Sequence, residues 1–204
     1  MMITIENIVK QIKKQERTKF VDNKAAVLLP IVDIDHQLHL LFQVRSKKLK
    51  WQPGDICFPG GRVELTDITP EYTAKRETVE ELGIALNQIT ILGQLPKFIA
   101  TLGMIIYPFV GTINSLDDLQ LNHAEVEQIF TVPIEWFIHN PPQCATMFVG
   151  HKPADDFPFD IITNRSPNWQ KRSEHSIYFY QYHNWVIWGL TAQILKRFIE
   201  TIGK

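Results

Sequence analysis

Residues 60–84, reading GGRVELTDITPEYTAKRETVEELGI, constrain this chain more than any other stretch. Thr69-Pro70 supplies an N-cap and a first-turn proline and Gly83 a stop, so a helix is predicted between them. On that helix Glu77, Glu80 and Glu81 stand at i, i+3 and i+4, which share one face. Like charges at that spacing repel by roughly a few tenths of a kcal/mol per pair, so helix stability gains nothing from the crowding. A solvated face is the commonplace explanation of such a run. The other is a divalent cation, because Mg²⁺ and Mn²⁺ take hard oxygen ligands. Just upstream, Phe58-Pro59-Gly60-Gly61 forms a turn whose glycines let backbone pass close to metal or phosphate.

The rest of the chain is predicted to build one domain around this helix. Its 204 residues give room for a sizeable core, and 45% apolar with 21% charged residues fits a globular protein. The formal net charge is -1 and no basic block stands out, which argues against a broad nucleic-acid footprint. Cys57 and Cys144 are too few for a disulfide framework and lack zinc-like spacing. No apolar run approaches the ~18 residues of a membrane span, and none follows the first charges, so a cytoplasmic enzyme is expected.

Helical spacing of Ile5, Ile8, Val9 and Ile12 predicts a leading amphipathic helix within residues 1–20. Residues 25–34 and 38–44 read as strands of a hairpin turning at Asp35-His36-Gln37. Further strands are predicted over 89–95, 105–113, 128–132 and 176–182, a short helix or turn over 133–137, and an amphipathic closing helix over 185–202. Strands interleaved with two principal helices make a mixed α/β fold.

Gly61, Asp67, Arg76, Glu77, Glu80, Glu81, Gly83 and Ile84 together resemble the signature of the Nudix hydrolases. That pattern runs G, five residues, E, seven residues, R-E-U-x-E-E-x-G-U, with U aliphatic. Residues 76–84 match its second half, with Thr78 where an aliphatic is usual. The first half departs, since Asp67 replaces Glu and stands eight residues, not seven, before Arg76. The resemblance implies a mixed β-sheet between α-helices and metal-dependent cleavage of a diphosphate, with Mg²⁺ or Mn²⁺ held by Glu77, Glu80, Glu81 and the Gly61 carbonyl. Arg76, four residues before Glu80, is expected to pair with it and fix its rotamer.

Upstream, Leu40-Leu41-Phe42-Gln43-Val44-Arg45-Ser46 leads through basic residues and Gly54 into Phe58-Pro59-Gly60-Gly61. This resembles the extra motif of the coenzyme A diphosphatase branch, as does Ile187-Trp188-Gly189-Leu190-Thr191-Ala192 near the C-terminus. That branch releases 3′,5′-ADP and 4′-phosphopantetheine from coenzyme A. Arg45, Ser46 and Gly60 are the expected substrate contacts, Arg45 as a bidentate phosphate partner. The C-terminal segment reads as core packing without a catalytic part.

A general base is harder to place. Glu125 and Glu127 precede the Val132-Pro133 turn and are candidates, whereas His123, His151 and His175 read as surface or packing residues. Residues 141–167 are Pro-rich and carry Phe148, Phe157 and Phe159. They stand open as a wall of the substrate pocket, a homodimer surface or a lid. Two rival functions also stand open. One is hydrolysis of ADP-ribose or another nucleoside diphosphate derivative. The other is a non-catalytic nucleotide sensor, against which the retention of all three glutamates argues.

Overall fold

The first hairpin sets the frame. In the computed structural model, which describes residues 5, 6, 9, 10, 23–100, 103–117 and 119–203, β1 (Lys24–Ile34) pairs antiparallel with β2 (Gln37–Arg45). Asp35 and His36 close the turn with φ of 52° and 64°, both left-handed, the twist a two-residue hairpin loop requires. The leading helix expected over residues 1–20 lies outside the described residues, apart from residues 5, 6, 9 and 10, which are helical.

The short strands β3 (Ile56–Cys57) and β4 (Gly60–Arg62) follow, and then α1 (Pro70–Leu82). Thr69 caps α1, its hydroxyl accepting from the Tyr72 N–H at 3.1 Å, and Gly83 ends it with φ 68°. After a 3₁₀ turn (Leu86–Gln88) come β5 (Ile89–Gln94), β6 (Phe98–Ile99), β7 (Ile105–Ile113), β8 (Val126–Pro133) and a short α2 (Ile134–His139). The main sheet runs β3-β2-β1-β7-β5, with β4 on β1, β6 on β7 and β8 on β2. β1 and β7 pair in parallel, with α1 falling between them in the chain; the other pairings are antiparallel.

Both faces of this sheet are covered, which is why β1 is apolar from Ala25 to Val32. Ala26, Leu28 and Val32 pack on the side of Ala74 and Leu82 of α1. Ala25, Leu29 and Ile31 face the opposite cluster, with Ala192, Ile194, Leu195 and Phe198 of the last helix, α3 (Gly189–Ile202). Phe42 sits centrally there, stacked on Phe58 at 4.9 Å and Phe130 at 5.4 Å. Each fully buried side chain of this kind contributes about 1.5–3 kcal/mol. The fold is thus the expected mixed sheet between α-helices.

Two boundaries differ from expectation. The closing helix begins at Gly189, not at residue 185, because Trp185–Trp188 forms β11. These four residues pair with Phe179–Tyr182 of β10 (Gln170–Tyr182) across a turn at His183, whose φ is 51°. Aromatic and β-branched side chains favour that ribbon over a helix, and Gly189, at φ 64°, makes the switch. Residues 143–151, within the segment left open between wall, interface and lid, form β9 against β10. Its side chains are mostly exposed, so no alternation of apolar residues announced it. No described helix is long and apolar enough to cross a membrane.

Candidate active site

Because Gly83 stops α1 one turn after Val79, the glutamate face ends beside the Gly60-Gly61 turn of β4. Glu81 is 3% exposed, and the Gly60 N–H donates to its Oε2 at 2.9 Å. Burial pushes its pKa up to about 8, against the hydrogen bonds from Gly60 and the Gln43 side chain; the charges of Glu77 and Glu125 push the same way as burial. Glu77 is also held above the usual carboxylate range, first by burial, with Arg76 opposing. Glu80 is the open member, its side chain 51% exposed.

Arg76 organises this face. Its Nε and Nη2 donate to Asp67 Oδ1 and Oδ2 at 2.9 and 3.0 Å, a bidentate fork. Nη2 also donates to Glu77 Oε1 and Nη1 to Glu80 Oε2, each at 2.9 Å. The expected Arg76–Glu80 pair is present, but the anchor of the guanidinium is Asp67. That carboxylate is fully buried and accepts from the Glu64 N–H at 2.9 Å and the Thr73 hydroxyl at 2.8 Å. The Arg76 hydrogen bond first, then Glu64 and Thr73, outweigh burial and lower its pKa to about 2. With its oxygens spent inward, Asp67 orients Arg76. The departure of Asp67 from the family pattern was the signal for this role, yet nothing in spacing showed its partner.

Gly61 lies across from Ala26 of β1 and directly beside Glu77. A Cβ on Gly61 would stand 2.3 Å from the Glu77 carboxyl carbon. Gly61→Ala should therefore push the Glu77 carboxylate aside and lower kcat by about tenfold or more, because carboxylates that hold a reacting group tolerate little displacement. Unchanged turnover with an unchanged unfolding midpoint would show that Glu77 can move freely.

Among the described residues no three His, Cys, Asp or Glu side chains stand in a ligating cluster. Arg76 holds Glu77 and Glu80, and Gly60 holds Glu81. The donor set nevertheless fits a hard divalent ion. Two of the carboxylates carry raised pKa values from burial and mutual repulsion, a cost that a cation beside them removes.

The remaining expected residues divide. Arg45, at the end of β2, donates through Nη2 to the Trp51 carbonyl at 3.3 Å, and its buried Nε makes no hydrogen bond of normal geometry. It lines a cavity of about 390 Å³ together with Cys57, Phe58, Trp188 and Thr191. Thr191 Oγ1 donates to the Ile56 carbonyl at 3.1 Å, tying α3 to β3. The C-terminal segment that reads as mere core packing therefore forms a wall of the Arg45 cavity. Ser46, expected to contact substrate, is wholly buried and faces inward. Its hydroxyl donates to the His123 carbonyl at 3.3 Å and its N–H to the Glu125 carbonyl at 2.8 Å, so it pins the loop that carries Glu125. The Asn122 N–H donates to the Glu81 carbonyl at 3.0 Å from the other side. Glu125 thus comes close enough for its charge to act on both Glu77 and Glu81, an effect Glu127 does not share. Gln43, buried between Glu81 and the Cys57 thiol, was not singled out because a lone glutamine in a strand carries no pattern.

Comparison with known proteins identifies the family and the fold. The NUDIX domain family model matches residues 22–148. Over 206 residues the chain is 30% identical to an uncharacterized Nudix hydrolase, NudL, of Photorhabdus laumondii, covering 98% of this chain and 99% of that one. It is 37% identical over 117 residues to the peroxisomal coenzyme A diphosphatase NUDT7 of Mus musculus, covering 57% of this chain and 50% of that protein. With the peroxisomal coenzyme A diphosphatase ndx-8 of Caenorhabditis elegans it shares 36% over 122 residues, 58% of this chain and 52% of that one. The chain spans about half the length of these two diphosphatases. In fold it is similar to a MutT/nudix family protein from Enterococcus faecalis, with a TM-score of 0.53, 14% identity and coverage of 99% and 71% of the two chains. The family match, the full-length relative and the shared fold make this chain a member of the Nudix family, a Nudix hydrolase.

Proposed function

We propose that the protein cleaves the diphosphate of coenzyme A or its acyl thioesters, giving 3′,5′-ADP and 4′-phosphopantetheine. One observation carries this reading: Arg45 and the Trp188–Thr191 segment, far apart in sequence, meet around one cavity that Phe58 connects to the Gly60-Gly61 turn. Both segments resemble the motifs of the coenzyme A diphosphatase branch, and two relatives bear that name.

Glu77, Glu80, Glu81 and the Gly61 carbonyl are the groups that would hold Mg²⁺ or Mn²⁺. Such an ion neutralises phosphate charge and lowers the pKa of a bound water. The chain's own residues supply the rest. The Arg76 fork keeps Glu77 and Glu80 in place. Gly60 and Gly61 let the diphosphate approach the backbone. Glu125, whose charge reaches Glu77 and Glu81, takes the proton of the attacking water as the water oxygen bonds to phosphorus, the bridging P–O bond breaks and the leaving phosphate departs as an anion. Arg45 meets the 3′-phosphate in its cavity.

Turnover of coenzyme A, dephospho-coenzyme A and ADP-ribose, each with Mg²⁺ and with Mn²⁺, tests the proposal. Release of 3′,5′-ADP from coenzyme A should be fastest. Preference for ADP-ribose would sink the coenzyme A reading while sparing the metal site. Arg45→Ala should raise KM for coenzyme A about tenfold or more, with a smaller rise for dephospho-coenzyme A, since a charge-assisted hydrogen bond contributes about 1.5–3 kcal/mol. Equal rises would assign Arg45 to the diphosphate or to the fold.

A further inference from the structure

Among the described residues Gln43, Ser46, Thr73, Thr78 and Glu81 are the polar or charged residues buried as a whole. Ser46, Thr73 and Thr78 donate to oxygens of the protein, and Glu81 belongs to the glutamate face. Gln43 of β2 is different. It is 0% exposed and lies on the α1 side of the sheet, where Leu41 packs two residues before it. Its register partners are Ile129 of β8 and Cys57 of β3. A position walled in this way suits an aliphatic side chain.

What Gln43 brings there is a pair of donors, since its Nε2 carries two hydrogens. Nε2 donates to the Cys57 thiol at 3.6 Å, and the carboxamide also hydrogen-bonds to the Glu81 carboxylate. Its Oε1 has no partner. A glutamine that served the core alone would satisfy its acceptor too, because an orphaned buried acceptor weakens the fold. A thiol is a weak acceptor and a carboxylate a strong one, so Glu81 is the partner that matters. Glu81 is thereby held from two strands, by the Gly60 N–H of β4 at 2.9 Å and by Gln43 of β2. Arg76 does the same for Glu77 and Glu80.

We propose that Gln43 is a positioning residue for the metal set: its carboxamide fixes the Glu81 carboxylate beside the Gly60-Gly61 turn, ready for a divalent cation. The inference rests on the placing of Glu81 in that set and deepens it. A neutral donor suits the task, because it orients a carboxylate without cancelling its charge. A Lys or Arg at the same place would compete with the cation.

Gln43→Met and Gln43→Leu fill the site with apolar atoms and remove the donors. Each variant should bind Mn²⁺, followed by the EPR signal of the free ion, about tenfold more weakly than the unsubstituted chain. At saturating Mg²⁺, kcat for coenzyme A should fall about tenfold while KM changes by less than about twofold. The urea midpoint in EDTA should not fall, because the orphaned acceptor leaves with the amide. A lower midpoint with Mn²⁺ affinity and kcat retained would make Gln43 structural and overturn the proposal. Added to Glu81→Gln, Gln43→Met should weaken Mn²⁺ binding by no more than about a further twofold. A full tenfold loss in that background would mean that Gln43 acts through some group other than Glu81. Glu81→Gln alone separates the two claims. Unchanged Mn²⁺ affinity there removes Glu81 from the metal set and the proposal with it. Weakened affinity there, with Gln43→Met and Gln43→Leu at full affinity, overturns the role of Gln43 alone. Mn²⁺ binding needs no substrate, so these outcomes hold whichever diphosphate the enzyme cleaves.

Discussion

Glu81→Gln should lower turnover of coenzyme A by about a hundredfold or more while the protein stays folded. The substitution preserves shape, and the amide oxygen can still accept from the Gly60 N–H, so packing survives. What is lost is a carboxylate able to carry full charge next to a cation. The same residue gives a pH signature. Its folded pKa of about 8 lies above the ordinary 4.5, so between those values the folded protein holds a proton that the unfolded chain releases. Stability of the metal-free protein should therefore be greatest below about pH 4.5 on this account and fall as pH rises towards 8. Glu81→Gln should remove the Glu81 share of that slope, because glutamine does not titrate, and leave the share of Glu77, which is also raised. Urea midpoints across this range, in EDTA, would show it. Near-normal turnover by the variant would take Glu81 out of the metal set, whatever the midpoints do. Glu80→Gln should match the loss of turnover but leave the pH slope in place, because Glu80 is the exposed member.

Much of this site was legible because its helix is bounded by strong local signals. Thr69-Pro70 and Gly83 fix the register of α1, and register fixes which glutamates share a face. The hairpin at Asp35-His36 was legible for the same reason: a turn between two apolar runs has few alternatives. What escaped was set by tertiary partners. Trp185–Trp188 has an apolar pattern that suits a helix or a strand, and pairing with Phe179–Tyr182 decided for the strand. Ser46 sits in a motif that suggested a ligand contact, but only the packed loop at His123–Glu125 shows its hydroxyl committed inward. Asp67 looked like a degenerate position. Its meaning lies in Arg76, nine residues on, and in the buried fork between them.

That fork should be the largest single polar contribution to stability in the site. Arg76→Ala leaves Asp67 buried with its strongest partner gone, and removing one side of a buried pair costs about 3 kcal/mol or more. The comparison with surface pairs decides the scale. Lys171–Glu174 and Lys196–Glu200 are ion pairs between substantially exposed chains, and Lys171→Ala should cost no more than about 0.5 kcal/mol. The pH dependence again has a definite sign. Asp67 titrates near 2 when folded and 3.8 otherwise, so its contribution is fully present above about 3.8 and disappears as pH falls towards 2. Arg76→Ala should flatten that acid limb by returning the carboxyl towards its ordinary range. Arg76→Lys should recover only part of the loss, since an ammonium cannot reproduce the two parallel bonds to Asp67 while also reaching Glu77 and Glu80. Urea midpoints at pH 7 and pH 3 for the three proteins would test the argument. If Arg76→Ala unfolds at the same urea concentration as the unsubstituted chain, the fork is a consequence of the fold and not one of its supports. The glutamate face must then be held by the Gly60 contact and by the Asn122 tie at the end of α1.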